Sequence, residues 1–381
     1  MLTAECCLVK SARHRTKVKM SYSRTQLSSA YMEYAKLQPL PKYNLASSGI
    51  QPLRSNELQA SIDLAGLNGW EGYGYPELLT LIGAHCGVDP GCVVTAIGTS
   101  FANHLAMAAL FEPGDDVLIE QPTYEPLLST ALFLGANIIR FQRPPDVRFR
   151  VDLDDLRRNL TPRTRLIVLC NLHNPSSAAI DDSTLSATGE LARSVNARVL
   201  VDEVYLEAID PIPRSSFHLG DNFVVTDSLT KGYGLGGLRC GWILAQPDLA
   251  HRLWRLYDVF GGHNPNAAEA LSVAAFDKLQ TIRQRAQRIL QANRPVMNAF
   301  LQSRHDLECE IPHAGTTASP RLKQGNVDEF CELLREKYET SVVPGRFFEM
   351  PEHFRIGIGG DPETTRIGFE RLAQALNDYK P

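Results

Sequence analysis

Side chains able to do chemistry gather in this sequence directly after its short apolar runs. Gly98-Thr99-Ser100 follows the run Val93–Ile97. Small residues with free N–H groups at the start of a helix suit an anion such as phosphate. Gln121-Pro122-Thr123-Tyr124 follows Val117–Ile119 and brings an aromatic ring. Asn171-Leu172-His173-Asn174-Pro175 follows Leu166–Leu169, and Asp202-Glu203-Val204-Tyr205 follows Val199–Val201. Ser228-Leu229-Thr230-Lys231 follows Phe223–Val225 and runs on through a glycine-rich stretch to Trp242. Singly, Asp202 would pass for a helix cap, Lys231 for a surface charge, Tyr124 for packing and Asn174 for a turn residue. Placed at consecutive strand ends, they read as one site.

That reading requires elements that bring strand ends together. From about Val93 to Leu244 the chain alternates apolar runs with helical stretches such as Ala102 to Phe111 and Ser183 to Ser194. Runs without period-two alternation fit strands buried on both faces. The pattern predicts an α/β fold, a three-layer αβα unit with a mostly parallel seven-stranded sheet. In such a sheet, ligands bind beyond the carboxyl ends of the strands. After Pro247 long helices take over, and short strand candidates with a last helix from Pro362 to Tyr379 predict a smaller α+β domain. The expected division is a large domain over 52–290 and a small one from 21–51 and 291–381. Residues 1–20 are expected to be a disordered basic tail, with a transit peptide or an internal start at Met20 as other readings. Lys10, Arg13, Arg15, Lys17 and Lys19 there oppose only Glu5.

Composition narrows the function classes. The 381 residues carry 39 Lys plus Arg against 43 Asp plus Glu, a formal net charge of −4, so no basic excess invites nucleic acid. No apolar run approaches the ~20 residues that span a bilayer. Eight cysteines without a Cys-x-x-Cys pair fit a reducing cytoplasm. No His-Glu-x-x-His occurs, and no metal is expected.

The set resembles the class I/II aminotransferase family of fold type I, which uses pyridoxal 5'-phosphate, over about Asn44 to Leu376. Its most specific part is Ser228-x-x-Lys231, with Arg239 eight residues on, inside a Gly-Leu-x-Gly-Leu-Arg-x-Gly frame. The resemblance implies that Lys231 bonds to the cofactor aldehyde and shuttles the substrate α-proton. It implies that Asp202 keeps the pyridine nitrogen protonated, so that the ring is an electron sink. Asn174 and Tyr205 match residues that hydrogen-bond the ring's phenolic oxygen, and Tyr124 matches the stacking aromatic. Gly98, Thr99, Ser100, Ser228 and Arg239 match the phosphate cradle. Arg355, in Phe354-Arg355-Ile356-Gly357-Ile358, matches the arginine that clamps the substrate α-carboxylate. Leu45-Ala46-Ser47-Ser48-Gly49-Ile50 matches the segment closing over substrate, with Gly49 or Ile50 offering a backbone contact. A homodimer working in amino-acid biosynthesis on an amino acid and a 2-oxo acid is implied, with Trp70, Tyr73 or Tyr75 reaching the neighbouring phosphate.

The sequence also departs from the pattern. Asn174-Pro175-Ser176-Ser177 stands where the family usually has Asn-Pro-Thr-Gly, which leaves the following turn open. No second arginine for a side-chain carboxylate stands out, which disfavours aspartate as substrate. Gly232, Gly234 and Gly237 spell a dinucleotide fingerprint, but a strand at Trp242-Ile243-Leu244 follows where a helix would be needed. His173 and His263 fall near the site by resemblance, with turn or packing roles as good a reading. Ser47-Ser48-Gly49, Val343-Pro344-Gly345 and Gly357-Ile358-Gly359-Gly360 are similar to a branch that includes capreomycidine synthase. Elimination and cyclisation is therefore the alternative reaction, and a non-catalytic ligand-binding homologue is a third reading.

Overall fold

The computed structural model describes residues 8–10, 16–18, 24–39, 41–58 and 72–380. Seven strands make the central sheet: β1 (Val93–Ile97), β2 (Asp116–Gln121), β3 (Asn137–Gln142), β4 (Thr164–Cys170), β5 (Arg198–Asp202), β6 (Phe223–Ser228) and β7 (Cys240–Leu244). They lie in the order β3-β2-β4-β5-β6-β7-β1. β3, β2, β4, β5 and β6 are mutually parallel, while β7 is antiparallel to both β6 and β1.

The continuous apolar runs have a direct cause. Successive side chains in a strand point to opposite faces, and both faces here are covered, so neither set of positions is left to water. Leu118, Ile167, Leu169, Val199, Val201 and Val225 enter one core. Their neighbours Val117, Ile119, Val168, Leu200 and Val224 enter the other.

The principal helices are α1 (Ala30–Leu37), α2 (Pro76–Cys86), α3 (Thr99–Leu110), α4 (Glu125–Phe133), α5 (Asp182–Arg193), α6 (Pro247–Phe260), α7 (Asn266–Asp277), α8 (Leu279–Ser303), α9 (Val327–Tyr338) and α10 (Pro362–Asp378). α2, α5 and α7 cover one face of the sheet, and α3, α4 and α6 the other. The result is the expected three-layer αβα unit with a mostly parallel seven-stranded sheet. Helix starts are set by local chemistry: Asp181 and Asp361 cap α5 and α10 by accepting from Thr184 N and Thr364 N.

A further core is built by α8, α9 and α10 with strand β8 (Phe354–Gly357). β8 pairs antiparallel with Thr317–Ala318 and Val343–Pro344. α8 bridges the two parts, since its Leu279 and Ile282 pack under the sheet and its residues from Ala286 onward enter the further core. The early segment joins this core too, for Tyr43–Asn44 pairs in parallel with Thr340–Ser341 and Leu45 packs inside.

Within the segment expected to be a disordered tail, Leu8–Lys10 and Thr16–Val18 form a hairpin, and Lys17 pairs with Ile139 at the outer edge of β3. Among the described residues β3 is otherwise an unpaired edge, and edge N–H and C=O groups recruit any available strand. The expectation is corrected for those two strands; the rest of residues 1–20 lies outside the described residues.

Candidate active site

Parallel strands deliver their carboxyl ends to one rim, and five of the expected stretches meet there. Arg239 arrives by a different route: it precedes β7, and because β7 runs the opposite way its start lies on the same rim. A cavity of about 270 Å³ opens at this rim. Thr99, Ser100, Tyr124, Asn174, Asp202, Tyr205, Lys231 and Arg239 all line it.

One end is built for an anion. Gly98 sits at the start of α3 with φ of +81°, and a Cβ there would lie 2.3 Å from Arg239 Nη2. A Cβ on Gly241 would lie 2.5 Å from the Gly98 carbonyl carbon, so two glycines keep this corner open. Thr99 Oγ1 donates to Ser228 Oγ at 2.8 Å, which brings the two hydroxyls together beside the guanidinium. Arg239 itself is held by the carbonyls of Ile97 (3.1 Å) and Gly236 (3.3 Å), and it is exposed. Helix N–H groups, hydroxyls and a guanidinium form a donor set that fits a phosphate.

The deep end is acidic. Asp202, the last residue of β5, is 4% exposed. It accepts from Asn103 Nδ2 at 2.8 Å and from Val204 N at 3.1 Å. Thr226 Oγ1 in turn donates to Asn103 Oδ1 at 2.6 Å. Burial pushes the Asp202 carboxyl up to about 6, against the pull of those hydrogen bonds and of the Lys231 charge. A cationic ring nitrogen beside it would bring that value back down.

Between the ends stands Lys231, whose amine donates to Ser48 Oγ at 3.1 Å. Burial lowers the pKa of this amine below the usual lysine value, and the charges of Arg355 and Arg239 add to the effect. Tyr205 Oη donates to the same Ser48 Oγ at 2.8 Å, and Asn174 Nδ2 lies 3.5 Å from Tyr205 Oη. Gly49 packs on the lysine stem, where a Cβ would sit 3.2 Å from Lys231 Cδ.

Arg355, in β8, is the most unusual group. It is 1% exposed, and no carboxylate pairs with it among the described residues. Nη1 donates to Asn174 Oδ1 at 3.0 Å, and Nη2 donates to Tyr31 Oη at 3.1 Å and to Ala46 O at 2.9 Å. Its Nε has no partner among the described residues. A buried cation with an unused N–H is costly, and an incoming carboxylate would satisfy both deficits.

The chain matches the model of "Aminotransferase class I and II" over residues 58–372. It belongs to the class I and II aminotransferase family. It is 30% identical over 353 residues to capreomycidine synthase of Streptomyces vinaceus, covering 89% of this chain and 90% of that one. It is 29% identical over 256 residues to an aromatic amino acid aminotransferase of Mycolicibacterium vanbaalenii, covering 66% of this chain and 71% of the other. Among solved structures it is similar to a PLP-dependent aminotransferase from Streptococcus suis, with a TM-score of 0.86, 25% identity, and coverage of 93% and 99%. The fold is fold type I and the cofactor is pyridoxal 5'-phosphate. The rim fits that cofactor chemically, with an anion cradle at one end, a carboxylate at the other and an amine between.

Two further sets were singled out in this aminotransferase: Trp70, Tyr73 and Tyr75 for the phosphate of a neighbouring copy, and His173 and His263 near the site by resemblance. Tyr73 stacks on Trp254 at 5.8 Å and donates to Asp258 at 3.0 Å, both on α6. Tyr75 caps α2, and Trp70 lies outside the described residues. His173 is a turn residue: its ring meets Ser176 Oγ at 2.7 Å and Pro122 O at 3.0 Å, and burial drives its pKa well below the usual histidine value. His263 lines none of the cavity. The turn left open by Ser177 keeps the left-handed conformation that a glycine would take there, with φ of +60°. Its hydroxyl meets Thr317 Oγ1 at 2.9 Å and so ties the turn to the further core.

The roles of three residues went unread in the sequence. Tyr31 on α1 roofs the cavity, edge-on to Tyr124 at 5.3 Å. Ser48 meets the lysine; the sequence named it within the closing segment but assigned the contact there to Gly49 or Ile50. Asn103 braces Asp202; a polar residue one turn after Thr99 on the buried face of α3 was its available signal.

Proposed function

We propose that this chain moves an amino group from an α-amino acid to a 2-oxo acid, with Lys231 as proton carrier and Arg355 as carboxylate clamp. The observation that carries this reading is the buried, carboxylate-free guanidinium of Arg355, near enough to the Lys231 amine to help lower its pKa. When bound, pyridoxal phosphate supplies an electron sink for charge developing at the substrate α-carbon. The chain's own residues do the rest. Gly98, Thr99, Ser100, Ser228 and Arg239 hold the phosphate, Asp202 holds the ring nitrogen, and Asn174 and Tyr205 hold the ring oxygen. Tyr124 lies against the ring, and Gly49 closes on the substrate. The parts around the two core regions act as a large domain over 52–290 and a small one from 21–51 and 291–381.

The enzyme works as a cytoplasmic homodimer in biosynthesis. In a single chain the phosphate cradle is open to one side, with Arg239 exposed and Ile97 40% exposed. Val259 and Phe260, 78% and 47% exposed, are further apolar side chains that a second copy would cover. No described helix is long and apolar enough to cross a membrane.

Elimination and cyclisation is the second reading, favoured by the 30% identity to capreomycidine synthase over 90% of its length. Incubation of the holoenzyme with a panel of amino acids, with and without 2-oxo acids, separates the two. Transamination yields a new amino acid and a new oxo acid in equal amounts, and only when an acceptor is present. A cyclic product formed without an acceptor establishes the second reading and removes the first.

A further inference from the structure

The Leu45–Ile50 segment is fixed from both sides. Leu45 N donates to Ser341 O at 3.0 Å and Gly357 N donates to Leu45 O at 2.7 Å, which ties its start to the further core. Thr316 Oγ1 donates to Ser48 O at 2.7 Å, and Ile50 N donates to Lys231 O at 2.9 Å. Ser48, 3% exposed, is thereby set against the lysine that follows β6.

A serine oxygen has two lone pairs, and both are used here. Lys231 Nζ donates to one at 3.1 Å and Tyr205 Oη to the other at 2.8 Å. We propose that Ser48 is a positioning residue for proton transfer: its hydroxyl holds one N–H of the Lys231 amine and so directs the amine's lone pair toward the substrate α-carbon. The proposal rests on Lys231 as the proton carrier. In the step concerned, the neutral amine takes the α-proton and becomes an ammonium. The C–H electron pair stays on the carbon side, and the ammonium later returns the proton. Ser48 accepts from the amine in both forms, so it restrains rotation about the Cε–Nζ bond throughout. Its contact with Tyr205 ties the amine to the group beside the ring oxygen, so the base and the ring are held by one hydroxyl.

The test compares wild type, Ser48→Ala, Ser48→Thr and Lys231→Ala. The first readout is loss of the α-proton NMR signal from the standard L-amino acids in heavy water, followed with holoenzyme. The second is the rate at which cofactor-free protein captures pyridoxal phosphate covalently, followed by absorbance, alongside equilibrium cofactor affinity. Ser48→Ala should slow exchange roughly 10- to 100-fold, the scale of a misaimed proton carrier. Capture should slow as well, with equilibrium affinity within about threefold. Ser48→Thr, which keeps the hydroxyl, should restore most of both rates. Wild-type rates in Ser48→Ala overturn the proposal, as does equal slowing in Ala and Thr variants. Persistent α-proton exchange in Lys231→Ala would instead remove the lysine reading on which the proposal stands.

Discussion

Asp202→Asn should stabilise the cofactor-free protein while destroying its turnover. Burial raises the Asp202 carboxyl from 3.8 to about 6, a shift of about 2 units. At about 1.36 kcal/mol per unit, this makes the ionised group cost the folded state ~3 kcal/mol. The sign follows from proton counting. Between about pH 4 and pH 6 the folded protein holds the proton that the unfolded chain has lost, so stability falls as pH rises through that window. Asparagine cannot ionise and removes this slope. It does meet two donors, Asn103 Nδ2 and Val204 N, with only one acceptor oxygen. Asn103 can turn its amide over, because its other partner, Thr226 Oγ1, accepts as well as donates. Imperfect re-pairing costs about 1 kcal/mol. The net expectation is a variant ~2 kcal/mol more stable than wild type near pH 8, a few degrees in Tm, and no more stable near pH 4. Thermal unfolding of both proteins at the two pH values measures this, and holoenzyme kcat should fall by orders of magnitude with a smaller loss of cofactor affinity. A stability difference independent of pH, or a variant less stable at pH 8, would refute the reasoning.

Arg355→Ala should raise KM for the amino acid about 100-fold or more, the worth of a lost two-pronged carboxylate grip, and also lower kcat through misorientation. Substrate titration checks this, and the cofactor's absorbance should hardly change. Gly98→Ala places a methyl 2.3 Å from Arg239 Nη2 at a φ of +81°, so cofactor affinity should fall roughly 100-fold, a loss of ~3 kcal/mol. An equilibrium titration with pyridoxal phosphate reads it directly. Sedimentation of the wild type should show a two-chain particle, and an active monomer would remove the shared-interface reading.

The rim was legible because parallel topology turns a local rule into a tertiary one. Once Leu166–Leu169, Val199–Val201 and Phe223–Val225 read as neighbouring buried strands, the residues after them had to converge. Asn174, Asp202 and Lys231 needed no further knowledge of the fold to be brought together. Two helix starts were legible to within a residue: the stretches expected from Ser183 and Pro362 begin at Asp182 and Pro362. Tyr31 was not legible, since its partners Tyr124 and Arg355 are distant in sequence and the one buried tyrosine of α1 carries no motif. The role of Asn103 depended on which face of α3 meets β5 and β6, a packing fact. Ser48 had the right neighbours, but its hydroxyl acquires meaning only when two distant side chains point at it. The hairpin beside β3 was hidden because strands of three residues leave almost no periodicity to read.

The hydrogen bond from Arg355 Nη1 to Asn174 Oδ1 spans two separately packed parts of the molecule, since Asn174 follows β4 of the sheet and Arg355 lies in β8. On the roles proposed for Arg355 and Asn174, this one amide would fix the gap between the carboxylate grip and the ring. The site then behaves as a calliper of set opening. An α-amino acid, with one carbon between amine and carboxylate, is the substrate such an opening would suit. β-Alanine or γ-aminobutyrate would have to part the two jaws, breaking the 3.0 Å bond, before its amine could reach the ring. Chain length between amine and carboxylate would then be screened by the fit of one half of the protein to the other, whatever side chain the substrate carries.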